Sequence, residues 1–213
     1  MAKVEITGPA ASTYTRAACM VCEEKAIPYV LKQQPPHSPD VCAIHPFGKV
    51  PVMRHGDFEL CESKAIATYL DLSFPGPRLM PTEPRQAALT EQWVSLVNTR
   101  IDATLVRTYL FSYIFPQTGD GSPDRKAIDA VVPAVRREIE VLDRAVAKGG
   151  FLAGDSFTFA DINLMPILAY LRNFPEAAEA IAAAKSLSGY YDRLAVRPSF
   201  QKTQTPLRQA KAS

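Results

Sequence analysis

Across Pro75-Gly76-Pro77-Arg78-Leu79-Met80-Pro81 the hydrophobic period of this chain changes, and that change limits the possible folds more than any other feature. Residues 3–73 alternate short extended runs with helical ones, whereas from about residue 85 onward only helical spacing recurs. A stretch so rich in proline continues neither a helix nor a strand ladder, so it reads as a linker. The expected division is a mixed domain over 1–76, a linker over 77–84 and a helical domain over 85–213. At 213 residues and 47% apolar content, the chain has material for two modest cores.

In the first part, Val4 and Ile6 begin a strand that Gly8-Pro9 ends, and Ser12 to Lys25 is helical. Tyr29-Val30-Leu31 is a second strand entering a proline-rich loop. Val52-Met53-Arg54 and Phe58-Glu59-Leu60-Cys61 flank His55-Gly56-Asp57 as a hairpin, and from Ser63 the apolar residues Ile66, Tyr69 and Leu70 share one helical face. The order predicted is βαβ-ββα, which is thioredoxin-like. In the second part, Glu83 to Phe115 reads as one long helix or two in series, and Asp124 to Lys148 as another. Shorter helices follow at about Glu176 to Ala184 and Ser186 to Ala195. Between them a helix starts at Thr158, with Asp161 three positions on as a capping box and Phe157 and Ile162 at staple spacing; Asp161 therefore has a structural role. The fold class expected is α+β, a thioredoxin-like domain followed by an all-α bundle.

Several function classes are disfavoured. Lys+Arg 24 against Asp+Glu 22 leaves a charge of +2 with no dense basic run, which offers nucleic acid or an anionic membrane little to bind. No stretch of 18 apolar residues and no signal-peptide pattern is present, so the protein is expected to be soluble and cytoplasmic. Cys19, Cys22, Cys42 and Cys61 all lie in the first third, a poor framework for disulfides, and no metal site is expected. Cys19-Met20-Val21-Cys22 lies two turns inside its helix, where the dipole no longer lowers a thiol pKa, so these cysteines read as buried and inert.

Two pairs of residues carry the functional signal. Val50-Pro51 puts a residue without an N–H beside a strand, and Glu62-Ser63 opens a helix whose first N–H groups attract anions. The run His45-Pro46-Phe47-Gly48-Lys49-Val50-Pro51, followed by Glu62-Ser63-Lys64-Ala65-Ile66, resembles the glutathione-binding half of the glutathione S-transferase family. Gly8 to Tyr29 and Phe151 to Leu164 extend the resemblance over nearly the whole chain, and the likeness is to serine-type, bacterial members similar to the phi and theta classes. It implies that Pro51 is cis and that Val50 pairs its backbone with the cysteinyl residue of glutathione. It implies further that Glu62 meets the α-ammonium and Ser63 the γ-glutamyl carboxylate. Lys49 stands where such members often carry glutamine, and His37 falls near their basic residues for the glycine carboxylate, with a solvated loop histidine as the equal alternative. His45 replaces a more common asparagine.

The chemistry of the family is thiolate formation. Lowering a thiol from about 8.5 by two units requires about 2.7 kcal/mol. A hydrogen bond to a charged group contributes about 1.5–3 kcal/mol and a helix N-terminus about 0.3–1 kcal/mol, so one hydroxyl at the right helix start is sufficient. Ser12 occupies that start. On the residues alone it is a helix cap; on the resemblance it donates to the thiolate, with Thr13 as fallback. A pocket for the electrophile is expected from Ala11 with Arg107, Phe111, Tyr113 and Phe115, although an aromatic stripe at this spacing also serves packing. Cys61, beside Glu62, is either an inward strand residue or a site for a mixed disulfide with glutathione. Phe47 is the expected lock residue of a homodimer. The function implied is conjugation of glutathione to hydrophobic electrophiles. The alternatives are glutathione-dependent peroxidase or isomerase chemistry, and non-catalytic binding of glutathione or hydrophobic ligands.

Overall fold

The structure, a computed structural model, describes residues 3–206. Strands β1 (Val4–Thr7), β2 (Tyr29–Lys32), β3 (Val52–His55) and β4 (Phe58–Cys61) form one sheet in the order β2-β1-β3-β4. β1 is parallel to β2, as the helical crossover α1 (Thr13–Glu24) requires, and antiparallel to β3, which returns to β4 through Gly56-Asp57. A single helical turn α2 (Pro39–Cys42) follows β2, and α3 (Ser63–Ser73) follows β4. Val4, Ile6, Val52 and Met53 of the sheet are fully buried, as are Met20 and Val21 of α1 and Ile66 and Leu70 of α3. Each such aliphatic side chain contributes about 1.5–3 kcal/mol by leaving water. This is the thioredoxin-like arrangement expected from the order of elements.

Lys25, at the end of α1, and Asp71 of α3 form an ion pair at 3.0 Å with both side chains removed from solvent. A buried pair of this kind needs further partners to offset desolvation, and it has them. Asp71 accepts the backbone N–H groups of Leu79 (3.0 Å) and Met80 (3.2 Å), and Lys25 donates to the carbonyl of Pro77 (3.1 Å). The proline-rich stretch is thereby fastened to the first domain.

The second unit is helical. α4 (Pro84–Leu96) passes without a break through π-helical turns (Val97–Leu110) into α5 (Phe111–Ile114), where one helix or two in series had been expected. In these wider turns residues five apart come together: Arg107 Nε donates to Asp102 Oδ2 at 2.9 Å, and Thr108 Oγ1 to the Ala103 carbonyl at 2.9 Å. α6 (Arg125–Gly149), α7 (Phe159–Leu171), α8 (Pro175–Ala183) and α9 (Lys185–Ala195) follow. Every residue of α7 except Ala169 is buried, as befits a helix apolar on all sides. Its start is the expected capping box. Asp161 accepts the N–H groups of Thr158 and Leu152 and the Tyr190 hydroxyl, each at 2.8 Å, while Thr158 Oγ1 accepts from Ala160.

The units divide differently from the expected domains. Residues through Thr82 group with Ala195–Thr205, and Glu83–Leu194 form the second unit, so the segment after α9 belongs with the sheet. That segment contains α10 (Pro198–Lys202), which the apolar pattern does not announce. Arg197 grips Glu24 with Nε (2.8 Å) and Nη2 (2.7 Å), the Ser199 hydroxyl donates to the same carboxylate (2.5 Å), and the buried Arg16 guanidinium lies 5.0 Å from the Phe200 ring centroid. Burial alone would raise the Glu24 pKa, but the Arg197 and Ser199 hydrogen bonds hold it below the usual carboxylate range. Among the described residues, no helix is long and apolar enough to cross a membrane, and no cluster of three or more His, Cys, Asp or Glu side chains forms a metal-binding group.

Candidate functional site

Sheet register collects the candidate residues. Lys32, Thr7, Val52 and Cys61 are successive partners across the four strands. The loop with His37 leaves after Lys32, the loop with Ser12 after Thr7, the segment Lys49-Val50-Pro51 enters before Val52, and Glu62-Ser63 follows Cys61. All of them emerge at one end of the sheet. Strands about 4.8 Å apart make that row about 14 Å long, enough for an extended three-residue peptide of about 10 Å.

Gly8 explains how closely the loops approach. Its φ is +157°, and a Cβ there would stand 2.4 Å from Thr15 Oγ1 and 3.1 Å from Val50 Cβ. The first turn of α1 and Val50 are thus brought together across a glycine that has no room for a side chain. In the sequence, Gly8-Pro9 signals a strand end and nothing of this close approach. Thr15 Oγ1 is buried and, among the described residues, has no hydrogen-bond partner.

Ser12 is the N-cap of α1, with φ −69° and ψ 128°, and its Oγ accepts the Thr15 N–H at 3.3 Å. A hydroxyl has one proton and two lone pairs, so a serine that accepts as a cap retains its O–H for a second partner. The cap reading and the donor reading are therefore compatible. Ser12 is half-buried, and Thr13, at the first helical position, is buried.

Pro51 is buried and follows a cis bond from Val50, as the resemblance implied. Val50 is half-buried, and among the described residues its N–H and carbonyl take part in no loop or turn hydrogen bond. Lys49 is exposed. His37, also exposed and at φ +63°, donates its N–H to the Gly48 carbonyl at 2.8 Å, and a Cβ on Gly48 would meet its Nδ1 at 2.4 Å. The His37 ring therefore lies over Gly48, next to Lys49.

Glu62 is the N-cap of α3 and has φ +69° and ψ 117°, a conformation that costs a non-glycine residue about 1–3 kcal/mol. Its side chain makes no capping hydrogen bond. Instead the carboxylate is 71% exposed, with Oε1 3.3 Å from Nε2 of the buried His45. The other ring nitrogen of His45 accepts the Phe47 N–H at 3.0 Å. In the sequence His45 shows only as a departure from asparagine, and nothing there signals this contact. Ser63, buried behind Glu62, opens α3 with N–H groups that have no acceptor within the helix.

Cys19 and Cys22 lie in the buried middle of α1 as free thiols. Burial raises the Cys19 pKa to about 12 and the Cys22 pKa still further, so neither is a nucleophile near neutrality. Cys61 is half-buried at the end of β4, opposite Val52.

Of the pocket candidates, Ala11 belongs to the first unit and the other four to the second. In the second unit Arg107 lies over the Phe111 ring at 5.2 Å, and Phe111 meets Phe115 edge-on at 5.2 Å, with Phe115 62% exposed. Tyr113 joins a different group. Its hydroxyl donates to Glu176 Oε2 at 2.6 Å beside Tyr109, and Arg125 Nη2 reaches Glu176 Oε1 at 2.8 Å. Burial opposes ionisation of Glu176, but the hydrogen bonds from Tyr113, Arg125 and Tyr109 bring its pKa down to about 2.

Residues 7–78 match the family model for the glutathione S-transferase N-terminal domain, and residues 88–198 the model for the C-terminal domain. Glutathione S-transferase 3 of Zea mays is 29% identical over 212 residues, covering 95% of this chain and 94% of its own. Among solved structures, glutathione S-transferase-I bound with lactoylglutathione is 27% identical, has a TM-score of 0.83, and aligns over 95% of this chain and 98% of its own. Glutathione S-transferase I from mais in complex with an atrazine glutathione conjugate has a TM-score of 0.82 at 26% identity, with 95% and 96% covered.

Proposed function

This chain belongs to the glutathione S-transferase family, and from that membership we propose that Ser12 activates the glutathione thiol for conjugation to a hydrophobic electrophile. The observation that carries the assignment is the Lys32, Thr7, Val52, Cys61 row, from which every candidate glutathione contact departs. In this reading the Ser12 O–H, left unused by its cap bond, donates to the thiolate, and the start of α1 adds its dipole. The free backbone groups of Val50 take the cysteinyl residue like an added strand. Glu62 receives the α-ammonium, the N–H groups and hydroxyl at Ser63 receive the γ-glutamyl carboxylate, and Lys49 and His37 face the glycine end.

Within the second unit, Arg107, Phe111 and Phe115 are the proposed contacts of the electrophile. Tyr113, whose hydroxyl is committed to Glu176, has the weakest claim among them. The exposed ring of Phe47, 73% accessible, fits insertion into a second copy of the chain, and the protein is proposed to be a cytoplasmic homodimer.

Turnover of an activated aryl halide with glutathione tests the reading. Wild type is expected to be active and Ser12→Ala strongly impaired. Equal activity of the two proteins would remove Ser12 from the mechanism, and glutathione binding without turnover by wild type would favour a carrier.

A further inference from the structure

His45 performs two separable tasks with its two ring nitrogens. Nδ1 accepts the Phe47 N–H, so it carries no proton, and the proton of the neutral ring is on Nε2. The backbone holds the ring's position, because the His45 N–H donates to the Val41 carbonyl (2.8 Å) and the His45 carbonyl accepts from Gly48 (3.0 Å). Nε2 is thereby fixed 3.3 Å from Glu62 Oε1, with the imidazole only 3% exposed and the carboxylate 71% exposed. Glu62 has no other anchor among the described contacts: its side chain makes no cap bond, and glutamate is among the most rotamer-rich side chains.

We propose that His45 is a positioning residue for glutathione, its Nε2–H holding Glu62 Oε1 so that Oε2 faces the α-ammonium of the γ-glutamyl end. The proposal rests on the assignment of Glu62 to that ammonium. In the structure Nε2 and Oε1 are within ion-pair distance without meeting hydrogen-bond geometry, and in this proposal the Nε2–H···Oε1 bond closes when a cation arrives on the second oxygen, as bonds of ligand-free sites tighten on binding. Having lost its freedom before binding, Glu62 has less to lose on binding. The Nδ1 task is a different one. Accepting the N–H two residues ahead is what an asparagine side chain does in an Asx-turn, and it shapes the loop that leads to Lys49 and Val50. An asparagine at 45 keeps that acceptor and has no atom at the position of Nε2, so the substitution separates the two tasks.

Steady-state kinetics of His45→Asn at varied glutathione and varied electrophile test the proposal. KM for glutathione is expected to rise about fivefold to tenfold, the upper part of the range for one ordinary hydrogen bond, because the carboxylate is 71% exposed, with kcat and the electrophile KM unchanged. With a glutathione analogue lacking the α-amino group, His45→Asn and wild type are expected to be equal. His45→Gln, which again reaches the Nε2 position, should recover the glutathione KM even where its melting temperature is lower. Side-chain nitrogen NMR of the wild type should show the Nε2–H tautomer. A wild-type KM in His45→Asn overturns the proposal, as does an equal rise with the deamino analogue or an Nδ1–H tautomer. Glu62→Gln is the control for the underlying assignment: if it leaves the glutathione KM unchanged, the ammonium reading itself has failed.

Discussion

Two helix starts in this molecule solve the same problem in opposite ways. At α7 the start is capped from within: Asp161 and Thr158 cap the helix, Asp161 also takes the Leu152 N–H and the Tyr190 hydroxyl, and the whole group is buried. At α3 the capping residue is an exposed glutamate at φ +69° whose side chain caps nothing, and the N–H groups behind it have no acceptor within the helix. The first arrangement is closed and contributes stability. The second is open and costs stability, and an open start is what an anionic ligand can complete.

The largest effect expected is at the closed start. Asp161→Ala strands two backbone N–H groups and a tyrosine hydroxyl in the interior, and should lower unfolding free energy in urea by about 3–5 kcal/mol. The folded fraction should keep its glutathione KM. An altered KM at unchanged stability would break the comparison.

Ser12→Ala, at the helix start that is both cap and proposed donor, should reduce kcat/KM about tenfold to a hundredfold while costing about 1 kcal/mol of stability. Titration of the bound thiol by its ultraviolet absorbance should show the midpoint moving upward. An unmoved midpoint would leave Ser12 as a cap alone.

Glu62→Gly sharpens the contrast, because its two effects have opposite signs. Relief of the positive φ should raise stability by about 1 kcal/mol, and loss of the carboxylate should raise the glutathione KM about tenfold. A variant that is less stable than wild type would show that the open start is not strained.

The smallest effect concerns a third, intermediate start, that of α8, where Glu176 is held by Tyr109, Tyr113 and Arg125. Its pKa falls from an ordinary 4.5 to about 2 in the folded protein, so between those values the unfolded chain binds more protons. The stability that wild type holds over Glu176→Gln should be constant above about pH 4.5 and vanish as the pH falls through about 2. Acid titration of both proteins by circular dichroism measures it. A difference that grows on acidification would reverse the sign and refute the assignment.

What the sequence made legible was local. The hairpin at Gly56-Asp57, the cap at Ser12 and the box at Thr158 and Asp161 are each specified within a few residues by turn or capping chemistry. The π-helical turns were not legible, because apolar spacing along residues 97–110 is compatible with an α-helix, and the wider turn shows in contacts five residues apart, Asp102 with Arg107 and Ala103 with Thr108. The strain at Glu62 was hidden because glutamate has no tendency toward positive φ that would mark the position. The His45–Glu62 contact was hidden because one partner looked like a loop substitution and the other like a finished ligand residue. Least legible was the grip of Arg197 on Glu24 across 173 residues, for which charge alone offers many equivalent partners.

That grip has a consequence for how the protein is made. A ribosome delivers the sheet of the first domain before the helical unit, yet the residues that close over Glu24 and Arg16 lie at 197–200, after that unit in the chain. The nascent domain must wait, with the Glu24 carboxylate lacking its guanidinium and Arg16 lacking the Phe200 ring, until synthesis of the helical unit is complete. The domain that begins before the helical unit is finished after it.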